Sequence, residues 1–100
     1  MSLEDQFHEA MLEIYRRALA ECKYNASRLL QMVNAQGGLQ AAKTLINAPN
    51  LSYGFTELWQ CGRLDLTVEA VALDPKWEAL FSQEELAKAR KRLTDLNYEI

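Results

Sequence analysis

The chain has 100 residues, of which 49% are hydrophobic and 25% are charged, and its formal net charge is −3. This length and composition predict one folded domain over residues 1–100 and exclude a disordered chain, and no apolar run approaches the roughly 20 residues that a membrane span needs. The excess of acidic residues also makes nucleic acid an unlikely partner, since proteins that bind it usually carry a basic surface.

The first predicted helix begins near Ser2 and runs for about five turns. Its apolar residues recur every three or four positions, which places them on one face: Phe7, Met11, Ile14, Ala18 and Cys22. Glu13 and Arg17 are spaced for an ion pair on the polar face. The pattern predicts an amphipathic helix packed on a core.

Two shorter helices should follow the first. Asn25 is a favourable N-cap for the second helix, and its buried stripe would be Ala26, Leu29, Leu30 and Val33. Gly37 and Gly38 are expected to end it. The third helix would bury Leu39, Ala42, Leu45 and Ile46, and Pro49 prevents it from continuing.

The segment 55–73 contains one clear helix and one ambiguous stretch. Residues 55–61 predict a short helix that ends at Gly62. Residues 64–73 fit the period of a half-buried strand and also that of a helix. A lone strand would leave its backbone groups unpaired, and no other segment alternates, so we predict a helix capped by Asp65 or Thr67.

The C-terminal part carries the clearest helix starts. Asp74 and Pro75 predict a short turn, and Ser82 with Glu85 three residues later is the signature of a capping box. The helix that follows should continue to about Leu96. We therefore predict an all-α fold, a compact bundle of five to six helices in which long first and last helices surround shorter central ones.

Cys22 and Cys61 are the only cysteines. Two cysteines this far apart in sequence define neither a disulfide framework nor a zinc site. Both have apolar neighbours at helical positions, so we predict buried reduced thiols. Reduced thiols, together with acidic Glu4 and Asp5 where a secretory signal would be basic, predict a cytoplasmic protein.

Three blocks of the sequence resemble a small bacterial family. They are YNASRLLQMVNAQGGLQAAKTLI, GFTELWQCGRLDLTVEAVAL and LFSQEELAKARKRL, and the resemblance covers most of residues 7–98. The family consists of helical proteins of about this length with no settled activity. The resemblance implies a bacterial, cytoplasmic, helical module, transfers no catalytic residue, and favours a helix over 64–73.

The sequence offers little for catalysis. His8 is the only histidine and lies on an acidic helix, where an exposed or rim position is expected rather than a role beside a nucleophile. Gly37 and Gly38 precede a helix but lack the Lys-Ser or Lys-Thr of a phosphate-binding loop. We predict no catalytic residue, no metal site and no cofactor, and therefore no enzyme.

An aromatic-rich segment motivates the predicted function. Four candidate partner-binding residues lie in it: Tyr53, Phe55, Trp59 and Trp77. Most of them should be core residues, but a small domain often leaves one aromatic side chain exposed to anchor a partner. The prediction is a non-catalytic protein–protein interaction module that binds itself or another protein.

Nucleic-acid binding is the alternative function. Arg28 and Lys43 are the only charged residues in 25–50, and both are expected to face solvent and could contact phosphates. Residues 55–73 have a helix-turn-helix outline, but Asp65 and Glu69 on the second helix would repel phosphates. A plain solvated surface is favoured over this alternative, an accessory or regulatory protein that binds through Arg28 and Lys43.

Overall fold

The first helix is the longest element of the fold. The computed structural model describes residues 2–98, and α1 spans Leu3–Cys22. The side chain of Ser2 caps it by accepting a hydrogen bond from the Asp5 N–H at 3.1 Å. The apolar face is buried as predicted, at Phe7, Met11, Ile14 and Ala18.

The remaining elements are shorter and all helical. The α-helices are α2 (Ser27–Gln36), α3 (Gly38–Asn47), α4 (Tyr53–Gln60), α5 (Val68–Ala72) and α6 (Gln83–Thr94), and 3-10 helices span Leu64–Leu66 and Pro75–Leu80. Residues 2–98 contain no strand. The all-α prediction is confirmed: there are six α-helices, and α1 and α6 are the longest, with 20 and 12 residues.

The ambiguous stretch 64–73 forms two helical pieces joined at Thr67. The Thr67 hydroxyl donates to the Leu64 carbonyl at 2.7 Å and accepts from the Ala70 N–H at 3.1 Å. It therefore closes the 3-10 helix and caps α5. Thr67 is one of the two caps that the sequence allowed.

The predicted cap of α2 is wrong, whereas the cap of α6 is confirmed. The helix α2 begins at Ser27, one residue later than a cap at Asn25 requires, and its N-cap residue Ala26 has no side chain that can accept a hydrogen bond. Ser82 and Glu85 form the predicted capping box.

The main core lies between α1, α3 and the C-terminal elements. The Phe7 ring meets those of Trp77 and Phe81 edge-on, each at a centroid distance of 5.3 Å. The helix α1 packs on α2 and α3, and α3 packs on α5 and α6. None of the helices between positions 2 and 98 is both long and apolar enough to cross a membrane.

Cys22 and Cys61 form a disulfide bond, so the prediction of reduced thiols is wrong. Their Cα atoms are 6.1 Å apart although 39 positions separate them in sequence. The last residue of α1 meets the C-cap of α4 because both helices pack around a second small cluster, which contains Ala18, Leu58 and Leu66. Burial was also overestimated, since Cys61 is exposed and Cys22 is only partly buried.

Candidate binding groove

An apolar groove opens between α2, α4 and the connector that joins α3 to α4. Its volume is about 560 Å³, within the range that ligand-binding cavities usually occupy. The larger apolar side chains that line it are Leu29, Met32, Leu45, Leu51, Tyr53, Phe55 and Leu58. We call this site the α2–α4 groove.

Two large side chains at the edge of the groove are exposed. Tyr53 is 70% exposed and Leu51 is 46% exposed. Their position follows from the start of α4, where the Ser52 hydroxyl accepts a hydrogen bond from the Phe55 N–H at 3.1 Å. This cap makes Tyr53 the first helical residue. The Tyr53 ring lies edge-on to the Tyr24 ring, with a distance of 6.1 Å between ring centroids.

Glu69 is the buried charge of the groove wall, with 3% of its surface exposed. Its Oε2 accepts a hydrogen bond from Arg92 Nη1 at 2.9 Å, while its Oε1 accepts none from another residue between positions 2 and 98. Burial raises the pKa of Glu69, and the bond from Arg92 opposes that shift. A hydrogen bond to its own backbone also acts to lower the pKa of Glu69. Because each carboxylate oxygen has about two acceptor positions, the carboxylate in the groove wall can still accept a further hydrogen bond.

Arg28 and Lys43 have different environments. Arg28 is exposed at the groove, as predicted, and makes no ion pair within residues 2–98. Lys43 Nζ lies 2.7 Å from Glu85 Oε1 and 5.1 Å from the centre of the Phe81 ring. Lys43 was expected to point out into solvent, but it is only partly exposed, because α6 supplies a carboxylate beside it.

The four predicted partner-binding aromatic residues separate into two exposed and two buried ones. Tyr53 and Trp59 are 70% and 48% exposed, whereas Phe55 and Trp77 are 2% and 6% exposed. Tyr53 and Phe55 meet at the groove, Trp59 lies outside its lining, and Trp77 packs on Phe7. Burial corrects the expectation for Trp77, which a partner could not reach at the surface.

Sequence analysis missed most of the groove. It assigned Leu29 and Leu45 to the core, where they are in fact only partly buried, and it gave no role to Met32 or Leu51. Helical periodicity identifies the inward face but not a gap between neighbouring helices. The exposed apolar Leu51, in a connector between two helices, was the one local signal.

His8 has a structural contact. It is partly buried, and its Nδ1 accepts a hydrogen bond from the Gly38 N–H at 2.9 Å, so it caps the start of α3. In the part of the chain that the structure describes, no three His, Cys, Asp or Glu side chains are grouped to hold a metal ion.

Comparisons with protein-family models, with curated proteins and with solved structures give no match for this chain. The resemblance to a bacterial family therefore stays a prediction. The groove and its charges are the basis on which a function can be argued.

Proposed function

We propose that the protein is a non-catalytic protein–protein interaction module and that the α2–α4 groove receives an apolar side chain of its partner. The observation that carries this proposal is an open apolar groove of about 560 Å³ beside the exposed side chains of Leu51 and Tyr53. Covering apolar surface contributes about 25 cal/mol per Å². Contiguous exposed apolar surface of this kind marks interaction sites.

The polar groups of the groove support binding rather than catalysis. The Thr67 hydroxyl is engaged by the backbone at both Leu64 and Ala70. Glu69 is paired with Arg92, which also donates to the carbonyl oxygens of Leu45 and Ala48 at the end of α3. These contacts hold helices together and present no nucleophile beside a base.

Nucleic-acid binding through Arg28 and Lys43 has less support. Duplex binding depends on several phosphate contacts, and Lys43 is already paired with Glu85. Titrations with short duplex DNA and with RNA at low and physiological salt decide between the two functions. Sub-micromolar binding that Arg28→Glu/Lys43→Glu loses while remaining folded would favour the alternative.

The cytoplasm remains the proposed location, and the disulfide gives it a clear test. Disulfides are rare in the cytosol, so the Cys22–Cys61 bond removes the reduced thiols from which this location was predicted. A protein of the cytosol would have to keep Cys22 and Cys61 reduced inside the cell. Alkylation of thiols in intact cells, before lysis, should then modify both residues. A pair that stays protected from the reagent would instead indicate an oxidising compartment.

N-acetyl-tryptophanamide is a suitable probe of the groove. Titration into the ¹⁵N-labelled protein, dilute enough to be monomeric, should shift amide resonances of groove residues. Ala48→Phe should abolish these shifts, because Ala48 lines the groove and a phenyl ring would occupy part of its volume. Ala87→Phe is the matched control, since Ala87 is exposed on α6 outside the groove. Shifts confined to other surfaces, or retained by Ala48→Phe, would contradict the proposal.

A further inference from the structure

Trp59 is an exposed aromatic side chain on the helix that borders the groove. It is 48% exposed and belongs to α4, whose residues Tyr53, Phe55 and Leu58 line the groove. Trp59 itself is not among the lining residues. One short helix thus carries both a wall of the groove and a side chain of the type that most often anchors protein interfaces.

We propose that the occupant of the α2–α4 groove is Trp59 of a second copy of this chain. The two α4 helices lie antiparallel across a twofold axis, and each indole N–H donates to Glu69 of the other copy. This inference rests on the proposed function and names its partner. In it, each copy both supplies an anchor and receives one.

The length and direction of α4 favour this arrangement. Tyr53 and Trp59 are six residues apart, which is about 9 Å along a helix. In an antiparallel pair centred on Thr56, the Trp59 end of one helix lies across from the Tyr53 end of the other. A twofold axis applies the same contact twice, so both grooves are filled together and the assembly closes as a dimer.

The hydrogen-bonding groups of the two surfaces are complementary. Indole N–H is a donor only, and Glu69 Oε1 accepts no hydrogen bond from another residue in the described part of the chain. A purely apolar anchor would cover the remaining exposed part of this carboxylate without donating a hydrogen bond to it, which is unfavourable. Tryptophan fills an apolar groove and also supplies the donor.

The charges at the edge are complementary as well. Arg28 is exposed at the groove without an ion-pair partner between residues 2 and 98, and Glu57 is partly exposed on α4 between Tyr53 and Trp59. In the antiparallel arrangement Glu57 of one copy approaches the groove of the other. Opposite charges at an interface fix its register and favour association.

Sedimentation equilibrium of the full chain tests the dimer. We expect concentration-dependent dimerisation, and Trp59→Ala should weaken it at least about 30-fold. Leu19→Ala should dimerise like the wild type; it is the matched control because Leu19 is 44% exposed on α1 and lies outside the groove. A wild type that remains monomeric up to about 1 mM, or a dimer that survives Trp59→Ala, would overturn the inference.

Two further variants test the contacts themselves. Trp59→Phe keeps an aromatic ring but loses the N–H, and should weaken the dimer about tenfold; unchanged dimerisation would overturn the bond to Glu69. Arg28→Glu and Glu57→Arg should each weaken association, and the double variant should recover it. Failure of that recovery would overturn the proposed register.

Fluorine NMR of protein labelled with 5-fluorotryptophan identifies which indole is covered. The Trp59 resonance should move with protein concentration while the resonance of buried Trp77 stays fixed. Titrating N-acetyl-tryptophanamide into Trp59→Ala separates the two proposals. Binding of the probe in the groove, combined with a monomeric wild type, would refute the dimer and leave the proposed function standing. If the probe does not bind and the wild type does not dimerise, both the proposed function and the dimer are refuted.

Discussion

A glycine at position 38 allows α3 to begin directly against the backbone of α1. A Cβ atom there would lie 2.6 Å from the His8 Cα and 3.3 Å from the Met11 Cγ. The Gly38 N–H donates to His8 Nδ1 across the same contact. The close approach therefore satisfies a backbone donor at the start of α3 that would otherwise lack a helical partner.

Replacing Gly38 by alanine should destabilise the protein by about 2 kcal/mol. Alanine is the better helix former by about 1 kcal/mol, but here its methyl group can be placed only by moving α3 away from α1. Urea denaturation followed by circular dichroism measures the change. Gly54→Ala is the control, because a Cβ at Gly54 would meet its nearest neighbour, the Tyr24 hydroxyl, at 3.4 Å. Equal stability of Gly38→Ala and wild type would contradict the prediction.

The local sequence predicted the role of Gly37 but not that of Gly38. Both glycines were predicted to stop the second helix, and Gly37, with a φ of +87°, does so. Gly38 instead belongs to α3 and is required by His8, which is 30 positions away. The helix-ending role of Gly37 follows from its own backbone conformation, which the neighbouring sequence predicts. The need for glycine at position 38 arises from contact with His8, which only the folded structure reveals.

Glu85 joins α3 to α6. Its Oε1 accepts hydrogen bonds from the Ser82 N–H at 2.9 Å and from Lys43 Nζ at 2.7 Å, and its Oε2 accepts from Asn47 Nδ2 at 2.8 Å. Burial acts to raise the pKa of Glu85, but the bonds from Lys43, Ser82 and Asn47 together lower it to about 2. The capping group of one helix is thus also an ionic contact with another.

The protein should lose stability as pH falls from about 4.5 to about 2, in part through Glu85. A carboxyl group whose pKa is lower in the folded state stabilises the fold above its unfolded pKa, ordinarily 4.5, and loses that contribution as pH falls through the folded value. Glu85→Gln should cost about 1–3 kcal/mol at pH 7 and should flatten the pH dependence in this window. Thermal unfolding between pH 2 and 7 measures both.

Glu69 should contribute to the pH dependence of stability in the opposite direction to Glu85. Burial raises its pKa in the folded state, so its protonation favours the folded protein as pH falls. It therefore does not account for a loss of stability in acid. An acid transition of Glu85→Gln identical to that of the wild type would contradict the role given to Glu85.

Helix starts were the features that the sequence predicted best, because an N-cap side chain bonds a backbone N–H only two or three residues later. The caps at Thr67, Asp74 and Ser82 are all as predicted or allowed. Two starts were predicted wrongly. At Asn25, both Asn25 and Ala26 precede the helix, and α4 begins at Tyr53 after the Ser52 cap rather than at Phe55. The second role of Glu85 could not be predicted, since Lys43 and Asn47 lie about 40 positions away.

The groove is a space left between several helices and a connector, and the pattern of apolar residues along the chain does not predict such a space. Two of its sides come from α1 with the segment after it, through Ala18 and Tyr24, and from α4, through Phe55 and Leu58, while α2 and the α3–α4 connector form the others. The Cys22–Cys61 bond joins these two sides near the ends of α1 and α4. The disulfide therefore restrains the distance between two sides of the groove, together with the packing of Ala18, Leu58 and Leu66.

Reduction of this disulfide should lower the stability of the whole domain. The bond closes a loop across 39 positions, for which the chain-entropy description gives about 4 kcal/mol, and measured values are commonly 2–4 kcal/mol. The folded helices should persist, because the core around Phe7 does not include either cysteine. We expect a melting temperature lower by about 10–20 °C in reductant, together with weaker binding of N-acetyl-tryptophanamide as these two sides of the groove loosen.

The variant Cys22→Ser/Cys61→Ser separates loss of the bond from other effects of the reductant. It should melt like the reduced wild type, and added reductant should leave its melting temperature unchanged. Differential scanning calorimetry with and without a phosphine reductant measures both proteins under one condition. A disulfide that restricts the unfolded chain raises the free energy of unfolding, so the oxidised wild type should melt at the higher temperature. Equal melting temperatures for oxidised and reduced wild type would contradict this prediction. They would show that packing around Ala18, Leu58 and Leu66 holds α1 against α4 without the bond.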